Sequence, residues 1–175
     1  NADSRQIYHH MDIGTAKPSK DTRRLVPHHL FDIIDPNDEF SLAQYKNLAD
    51  EAIRDIHARG KLPVVVGGTG QYVWALLEGW NVPKVPSDPS LRTKLEEMAH
   101  LKGPSVLYQE LQAIDPKAAA KIDARNVRRV IRALEIYHST GVPPSRFQTK
   151  SPPPWDILIL GVTLDREELY RRADA

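Results

Sequence analysis

The sequence predicts an α/β fold whose core is interrupted by an all-helical insertion, and three observations predict it. The run Leu62-Pro63-Val64-Val65-Val66 is short, apolar and β-branched, as a strand buried inside a parallel sheet would be. The turn Gly67-Gly68-Thr69-Gly70 follows it directly and leads into a helical pattern, so helix, buried strand, glycine turn and helix come in the order of an α/β sheet. From Asp88 to Ser139, by contrast, the periodicity is helical throughout and no convincing strand pattern occurs.

The elements follow in order. Leu30-Phe31-Asp32-Ile33-Ile34 reads as a strand closed by Asp35-Pro36. Ser41 followed by Gln44 forms a capping box, in which hydroxyl and amide each satisfy a free backbone N–H. Tyr45, Leu48, Ala49, Ala52, Ile53 and Ile56 then recur at helical spacing, and Gly60 sits where a C-terminal cap belongs. After the strand at 62–66 and the glycine turn, Tyr72 to Leu77 resumes a helix. Prolines break the chain from Val82 to Ser87. Asp88-Pro89 and Asp115-Pro116 each pair an N-cap with a proline in the first helical turn, and segments 88–102, 105–113, 116–122 and 125–139 read as helices. Lys150-Ser151-Pro152-Pro153-Pro154 is a stiff linker, after which Ile157 to Val162 reads as a third strand and a helix opens near Asp165. The resulting division is a core at 1–85, a helical insertion at 86–150 and a return to the core at 151–175. No internal repeat occurs.

Composition narrows the function. The 175 residues carry 24 Lys+Arg against 23 Asp+Glu, a net charge of +1, so any hold on nucleic acid must come from local clustering rather than bulk charge. With 41% hydrophobic residues the chain can bury a core. The absence of cysteine excludes a disulfide framework, a thiolate zinc site and a cysteine nucleophile, and fits a reducing compartment. No apolar run approaches the ~18 residues of a membrane span, and no basic-then-apolar leader opens the chain. A cytoplasmic, monomeric protein is expected. The chain begins at Asn1 and ends in a charged helical pattern, so it reads as a piece of something longer.

Three groups of residues could carry chemistry. Glycines after a buried strand let backbone N–H groups approach a phosphate, and the following helix N-terminus adds a favourable dipole; Thr69 in that turn is either part of such a site or simply a helix cap. The turn matches neither G-x-G-x-x-G nor G-x-x-x-x-G-K-[ST]. Arg125, Arg128, Arg129 and Arg132 fall at i, i+3, i+4 and i+7 on one helical face, opposite Val127, Val130, Ile131, Leu134 and Tyr137. Guanidiniums grip phosphate oxygens bidentately, so the stripe suits a nucleic-acid backbone or polyphosphate, unless carboxylates neutralise it. Only Glu135 lies near it within the helix. Asp3-Ser4 offers a general base beside a hydroxyl, or a turn cap. The pairs His9-His10 and His28-His29 lack metal-ligand spacing, and no metal site is expected from them.

These segments together resemble the tRNA dimethylallyltransferase (tRNA isopentenylpyrophosphate transferase) family. The resemblance rests on Ala2-Asp3-Ser4 with Ile7-Tyr8, Met11 through Pro18, Pro27 to Leu30, Ile33 to Pro36, Gly60 to Pro63 and Val66 to Tyr72. It continues through Ala75 to Gly79, Asp88 to Arg92, Asp115-Pro116, Arg128 to Glu135 and Leu164 to Arg172. It implies a P-loop-NTPase-like parallel sheet with a helical insertion that embraces a tRNA anticodon stem-loop. The implied reaction moves a dimethylallyl group from dimethylallyl diphosphate to N6 of adenosine 37, a base flipped into a channel through the core. The resemblance implies Asp3 as general base, Thr69 at the channel and Arg172 as the group steadying the leaving diphosphate. Asp3, Ser4, Arg5, Gln6, Thr69, Arg92 and the stretch Arg128, Arg129, Val130, Ile131 and Arg132 would contact tRNA. Family members carry a phosphate loop upstream of the Asp-Ser pair that would bind diphosphate and Mg2+; this sequence starts after that loop and also lacks the family's C-terminal part, so the 175-residue piece alone is expected to be inactive. Position 5 is Arg where the family has a small or apolar residue. Related alternatives are an adenylate isopentenyltransferase acting on free AMP, ADP or ATP, a non-catalytic RNA-binding module, and a P-loop kinase-like phosphotransferase. The insertion with its arginine stripe argues against the first, and Asp3 with Thr69 against the second. The third would show ATP turnover.

Overall fold

The computed structural model describes residues 1–174. Its helices are α1 (Lys20–Leu25), α2 (Leu42–Ala58), α3 (Gly70–Leu77), α4 (Pro89–Lys102), α5 (Ser105–Ile114), α6 (Pro116–Ala119), α7 (Val127–Thr140) and α8 (Arg166–Ala173), with a 3-10 turn at Pro144–Phe147. The caps explain the boundaries. The Ser41–Gln44 box starts α2 with both reciprocal bonds made. Asp88 and Asp115 accept from Leu91 N and Ala118 N, each ahead of a proline. Gly141, at φ 69°, stops α7 in the left-handed conformation.

Two hydrophobic clusters organise the chain. In one, α2 packs on α3 through Tyr45, Ala49, Ile53, Tyr72 and Leu76, with Ala2 wholly buried among them. In the other, Leu95, Ala99, Leu107, Leu111, Ala118, Val130, Ile131 and Leu134 join α4, α5, α6 and α7. The apolar face of α7 lies where the sequence places it. A short strap joins the two parts: Trp80 and Lys150 form an antiparallel bridge, Ser151 N donates to Gly79 O at 2.8 Å, and Asn81 N donates to Thr149 O at 3.0 Å.

The expected strands are not formed among the described residues. Near 30–34 there is a single parallel bridge, Tyr8 with Ile34, and near 62–66 a single bond from Ala2 N to Val66 O at 2.7 Å. The reason is physical: a strand exists through the N–H and C=O groups of its neighbours, and β-branched composition cannot supply them. Leu62 and Val64 are 83% and 71% exposed, and Leu158 and Val162 are 83% and 99% exposed. These runs have the composition of buried strands without a neighbouring strand among the described residues. No helix among those residues is long and apolar enough to cross a membrane.

Candidate functional site

The N-terminal segment and the glycine turn meet at one point. Ala2 N donates to Val66 O at 2.7 Å, and Thr69 N donates to Ala2 O at 3.1 Å. Gly67 makes the approach possible, because a Cβ there would lie 2.2 Å from the Ala2 carbonyl carbon. The Thr69 hydroxyl accepts from Ser4 N at 2.9 Å and donates to Ser4 Oγ at 3.2 Å. Although Thr69 is the residue before α3, its side chain makes no capping bond to that helix. Its hydroxyl is spent on Ser4 rather than on capping the helix.

Asp3 caps a turn through one carboxylate oxygen and leaves the other without a partner among the described residues. Its Oδ1 accepts from Arg5 N at 2.7 Å and Gln6 N at 3.4 Å, closing a turn. Its Oδ2 has no hydrogen-bond partner among the described residues, so one carboxylate oxygen is held and the other is open to take a proton. Behind it, Tyr72 on the first turn of α3 stacks on Tyr45, with ring centroids 3.7 Å apart and planes 9° from parallel. The Tyr72 phenol is pushed up to about 12 by burial first, then by Tyr8 and the Asp3 charge. Burial also pushes the Tyr45 phenol up, and its hydroxyl donates to Asn1 O at 3.2 Å.

The neighbouring residues divide. Arg5 is exposed and its guanidinium bonds nothing among the described residues. Gln6 donates its amide to Thr15 O at 2.8 Å and Ala16 O at 3.3 Å, tying the Met11–Pro18 loop to the site. Lys17, with a side chain only 1% exposed, locks the same loop from beneath: it meets Asp12 at 2.8 Å, Asp32 at 2.6 Å and Tyr8 O at 2.7 Å.

The arginine stripe is shorter than the periodicity suggests. Asn126 caps α7, so Arg125 lies outside the helix, where it pairs with Asp123. Val130 and Ile131 are 1% and 4% exposed in the helical core, which corrects their place in a surface contact stretch: only Arg128, Arg129 and Arg132 of that stretch present charge. Their burial follows from the same 3.6-residue period that puts the arginines outside. Arg128 and Arg129 have no side-chain ion pair among the described residues. Arg132 and Arg92 converge on Glu135, which is 1% exposed. Arg172 pairs with Glu168 of its own helix at 2.7 Å, and no bond joins it to Asp3, Ser4 or Thr69 among the described residues.

Residues 6–175 match the family model described as IPP transferase. The chain belongs to the IPP transferase family. It is 55% identical over 174 residues to a tRNA dimethylallyltransferase of Thermomicrobium roseum, an alignment covering 99% of this chain and 53% of that protein. It is 55% identical over 175 residues to one of Chloroflexus aggregans, covering 100% and 59%. This IPP transferase chain therefore spans little more than half the length of these relatives. Its structure is similar to one described as a eukaryotic dimethylallyltransferase acting on tRNA, with TM-score 0.67 and 37% identity over 83% of this chain and 36% of that one. It is also similar to a tRNA isopentenylpyrophosphate transferase of Staphylococcus epidermidis, with TM-score 0.52 and 34% identity over 98% and 56%.

Two features of this constellation were not visible as motifs in the sequence. The contact of Gly67 with Ala2 joins residues far apart in sequence, and no local pattern marks it. Tyr72 was visible in principle, since three residues after Thr69 is one helical turn along α3. For magnesium, the donor set does not fit: Asp3 is the single carboxylate of this constellation and one of its oxygens is held by two backbone N–H groups. No group of three metal-binding side chains occurs among the described residues.

Proposed function

We propose that the protein carrying this chain transfers a dimethylallyl group from dimethylallyl diphosphate to N6 of adenosine 37 in a tRNA anticodon stem-loop. The observation that carries the reading is the Asp3–Ser4–Thr69 constellation, with one Asp3 oxygen open beside a threonine locked by Ser4. The N6 lone pair attacks C1 of the dimethylallyl group, the C1–O bond breaks, and the diphosphate leaves with its electron pair. The surplus N6 proton passes to Asp3 Oδ2. Ser4 and Thr69 fix the backbone around that carboxylate, and Gln6 fixes the adjoining loop. Arg172 is the group assigned to the leaving diphosphate. Residues 86–150 form the RNA-binding insertion, with Arg92, Arg128, Arg129 and Arg132 toward phosphates and Arg5 toward the anticodon loop. Residues 1–85 and 151–175 belong to the catalytic core, and in the complete protein the apolar runs at 62–66 and 157–162, without a neighbouring strand among the described residues, would take their places as strands of a P-loop-type parallel sheet. Their exposed apolar side chains support that placement. The reading carries with it a cytoplasmic monomer, on which the mechanism does not depend.

The test uses the complete gene product with magnesium, labelled dimethylallyl diphosphate, and either an adenosine-37 stem-loop or AMP. Label on the stem-loop alone, lost in Asp3→Asn, supports the reading. Asparagine keeps the Oδ1 acceptor and the turn while removing the base. Label on AMP moves the protein to free-nucleotide prenylation, and binding without transfer reduces it to an RNA-binding module.

A further inference from the structure

Glu135 is an unusual residue for the middle of a helix in a hydrophobic cluster. Its side chain is 1% exposed, and α7 places it beside Leu134 and Ile131. A carboxylate there is retained only if its oxygens are saturated with donors. Four N–H groups do so. Arg92 Nε reaches Oε1 at 2.9 Å and Arg92 Nη2 reaches Oε2 at 3.0 Å, a bidentate fork from α4. Asp88 N, at the cap of α4, donates to Oε1 at 2.7 Å, and Arg132 Nη1 donates to Oε2 at 2.5 Å. Arg132 Nη2 continues to Val85 O at 2.8 Å, on the segment entering the helical part. Burial by itself would raise the Glu135 carboxyl, but the donors from Arg92, Asp88 and Arg132 more than offset it and hold it below its ordinary value.

The two arginines are not consumed by this pairing. Within the triad one negative charge is shared between two positive ones, and the charges of Glu39 and Glu96 also reach Arg92. Arg92 and Arg132 remain 39% and 36% exposed. Arg92 Nη1 makes no bond among the described residues. A guanidinium normally loses side-chain freedom when it meets a phosphate; one already pinned on its inner edge has lost it beforehand, and its outer edge is presented at a fixed place.

We propose that Glu135 is a positioning residue for RNA binding, a buried carboxylate that holds Arg92 and Arg132 as a preset fork for backbone phosphates. The proposal rests on the RNA-binding reading given above and names what organises that surface. Arg128 and Arg129, one turn earlier on α7, extend the same positive edge without a carboxylate anchor.

The fork and a plain charge effect predict opposite signs. Glu135→Gln removes a negative charge from a phosphate-binding face. Without positioning, affinity for RNA would rise and its salt dependence would steepen. With positioning, affinity falls about tenfold, because a pinned charge-assisted contact is lost, and the slope of log affinity against log salt shrinks by about one phosphate's worth. The measurement is binding of the complete gene product to an adenosine-37 anticodon stem-loop across a potassium chloride series. Arg92→Lys is the second variant. It keeps the charge and leaves Glu135 with Arg132 and the Asp88 N–H, so the fold is spared while the fork is lost. It is expected to weaken binding to a similar extent, and the double variant to be no weaker than about either single one. In turnover, both variants raise KM for the stem-loop and leave kcat within about twofold, since Asp3 is untouched. Wild-type affinity or tighter in Glu135→Gln, or no loss in Arg92→Lys, overturns the proposal while the function stands. A wild-type protein that binds no stem-loop overturns the function and the fork together.

Discussion

Gly67→Ala is the sharpest perturbation of the site that a single methyl group can make. Its Cβ would lie 2.2 Å from Ala2 C, 2.3 Å from Ala2 O and 2.7 Å from Ala2 Cα, all of them backbone atoms that no rotamer change can move. Non-bonded carbons rest at ~3.5–4.0 Å, so the N-terminal segment must retreat by more than about 1 Å. Three bonds cross this junction: Ala2 N to Val66 O, Thr69 N to Ala2 O, and Ser4 N to Thr69 Oγ1, at 2.7, 3.1 and 2.9 Å. Stretching them by that distance breaks them. At roughly 0.5–1.5 kcal/mol each the three bonds cost about 1.5–4.5 kcal/mol, and the junction is buried, since Ala2 has no exposure. Asp3 moves with Ala2, and a displacement of about 1 Å at a reacting group costs about a hundredfold in rate. Gly68→Ala is the control, because a Cβ there meets nothing within 4 Å. Urea unfolding and prenyl transfer by the complete gene product are measured for both variants. Equal stability and equal transfer in the two would refute the reasoning, for it would show that the approach of Gly67 to Ala2 does not set the position of Asp3.

Two further outcomes follow from the packing. Gly79 and Gly60 share a left-handed backbone, at φ 59° and 65°, but a Cβ on Gly79 would clash with the Ser151 carbonyl while one on Gly60 meets open space. Gly60→Ala is therefore expected to cost about 1 kcal/mol, the conformational term alone, and Gly79→Ala about 3 kcal/mol or more, because the strap at Trp80 and Lys150 must open; equal losses in urea unfolding would contradict this. Acid is expected to destabilise the protein through Glu135, Asp115 and Asp32, whose carboxyls lie below their ordinary values because donated hydrogen bonds, joined at Glu135 and Asp32 by cationic partners, outweigh the upward push of burial. For groups depressed in the folded state, the unfolded chain binds more protons, so their contribution is fully present above the unfolded value near about 4 and drains away as pH falls through the folded values. Unfolding midpoints that stay constant from pH 5 to about pH 2.5 would show that these carboxylates are not linked to folding.

Much of the helical part is legible in the sequence alone. The Ser41–Gln44 box, the Asp-Pro starts at 88 and 115 and the glycine end of α7 are local signals, made by residues within one helical turn of each other, and local signals survive in sequence. The stripe on α7 was legible for the same reason, together with its buried opposite face. The expected strands do not form among the described residues because a strand is a relation between distant segments. The apolar runs at 62–66 and 157–162 were read correctly as apolar and β-branched, yet what makes such a run a strand lies in the segments beside it.

The site divides in the same way. From the sequence came the residue types that the chemistry requires, namely a carboxylate beside a hydroxyl, a threonine in a glycine turn after an apolar run, and arginines at helical spacing. Family membership follows from that order of motifs along the chain. The sequence could not say that Thr69 turns away from its own helix to bond Ser4, or that Gly67 must be bare so that Ala2 can approach. Nor could it say that one buried Glu135 holds Arg92 and Arg132 from two helices. Each of those facts is a contact between residues that local periodicity never relates, decided by which surfaces exclude water together and which buried polar atoms must then find partners.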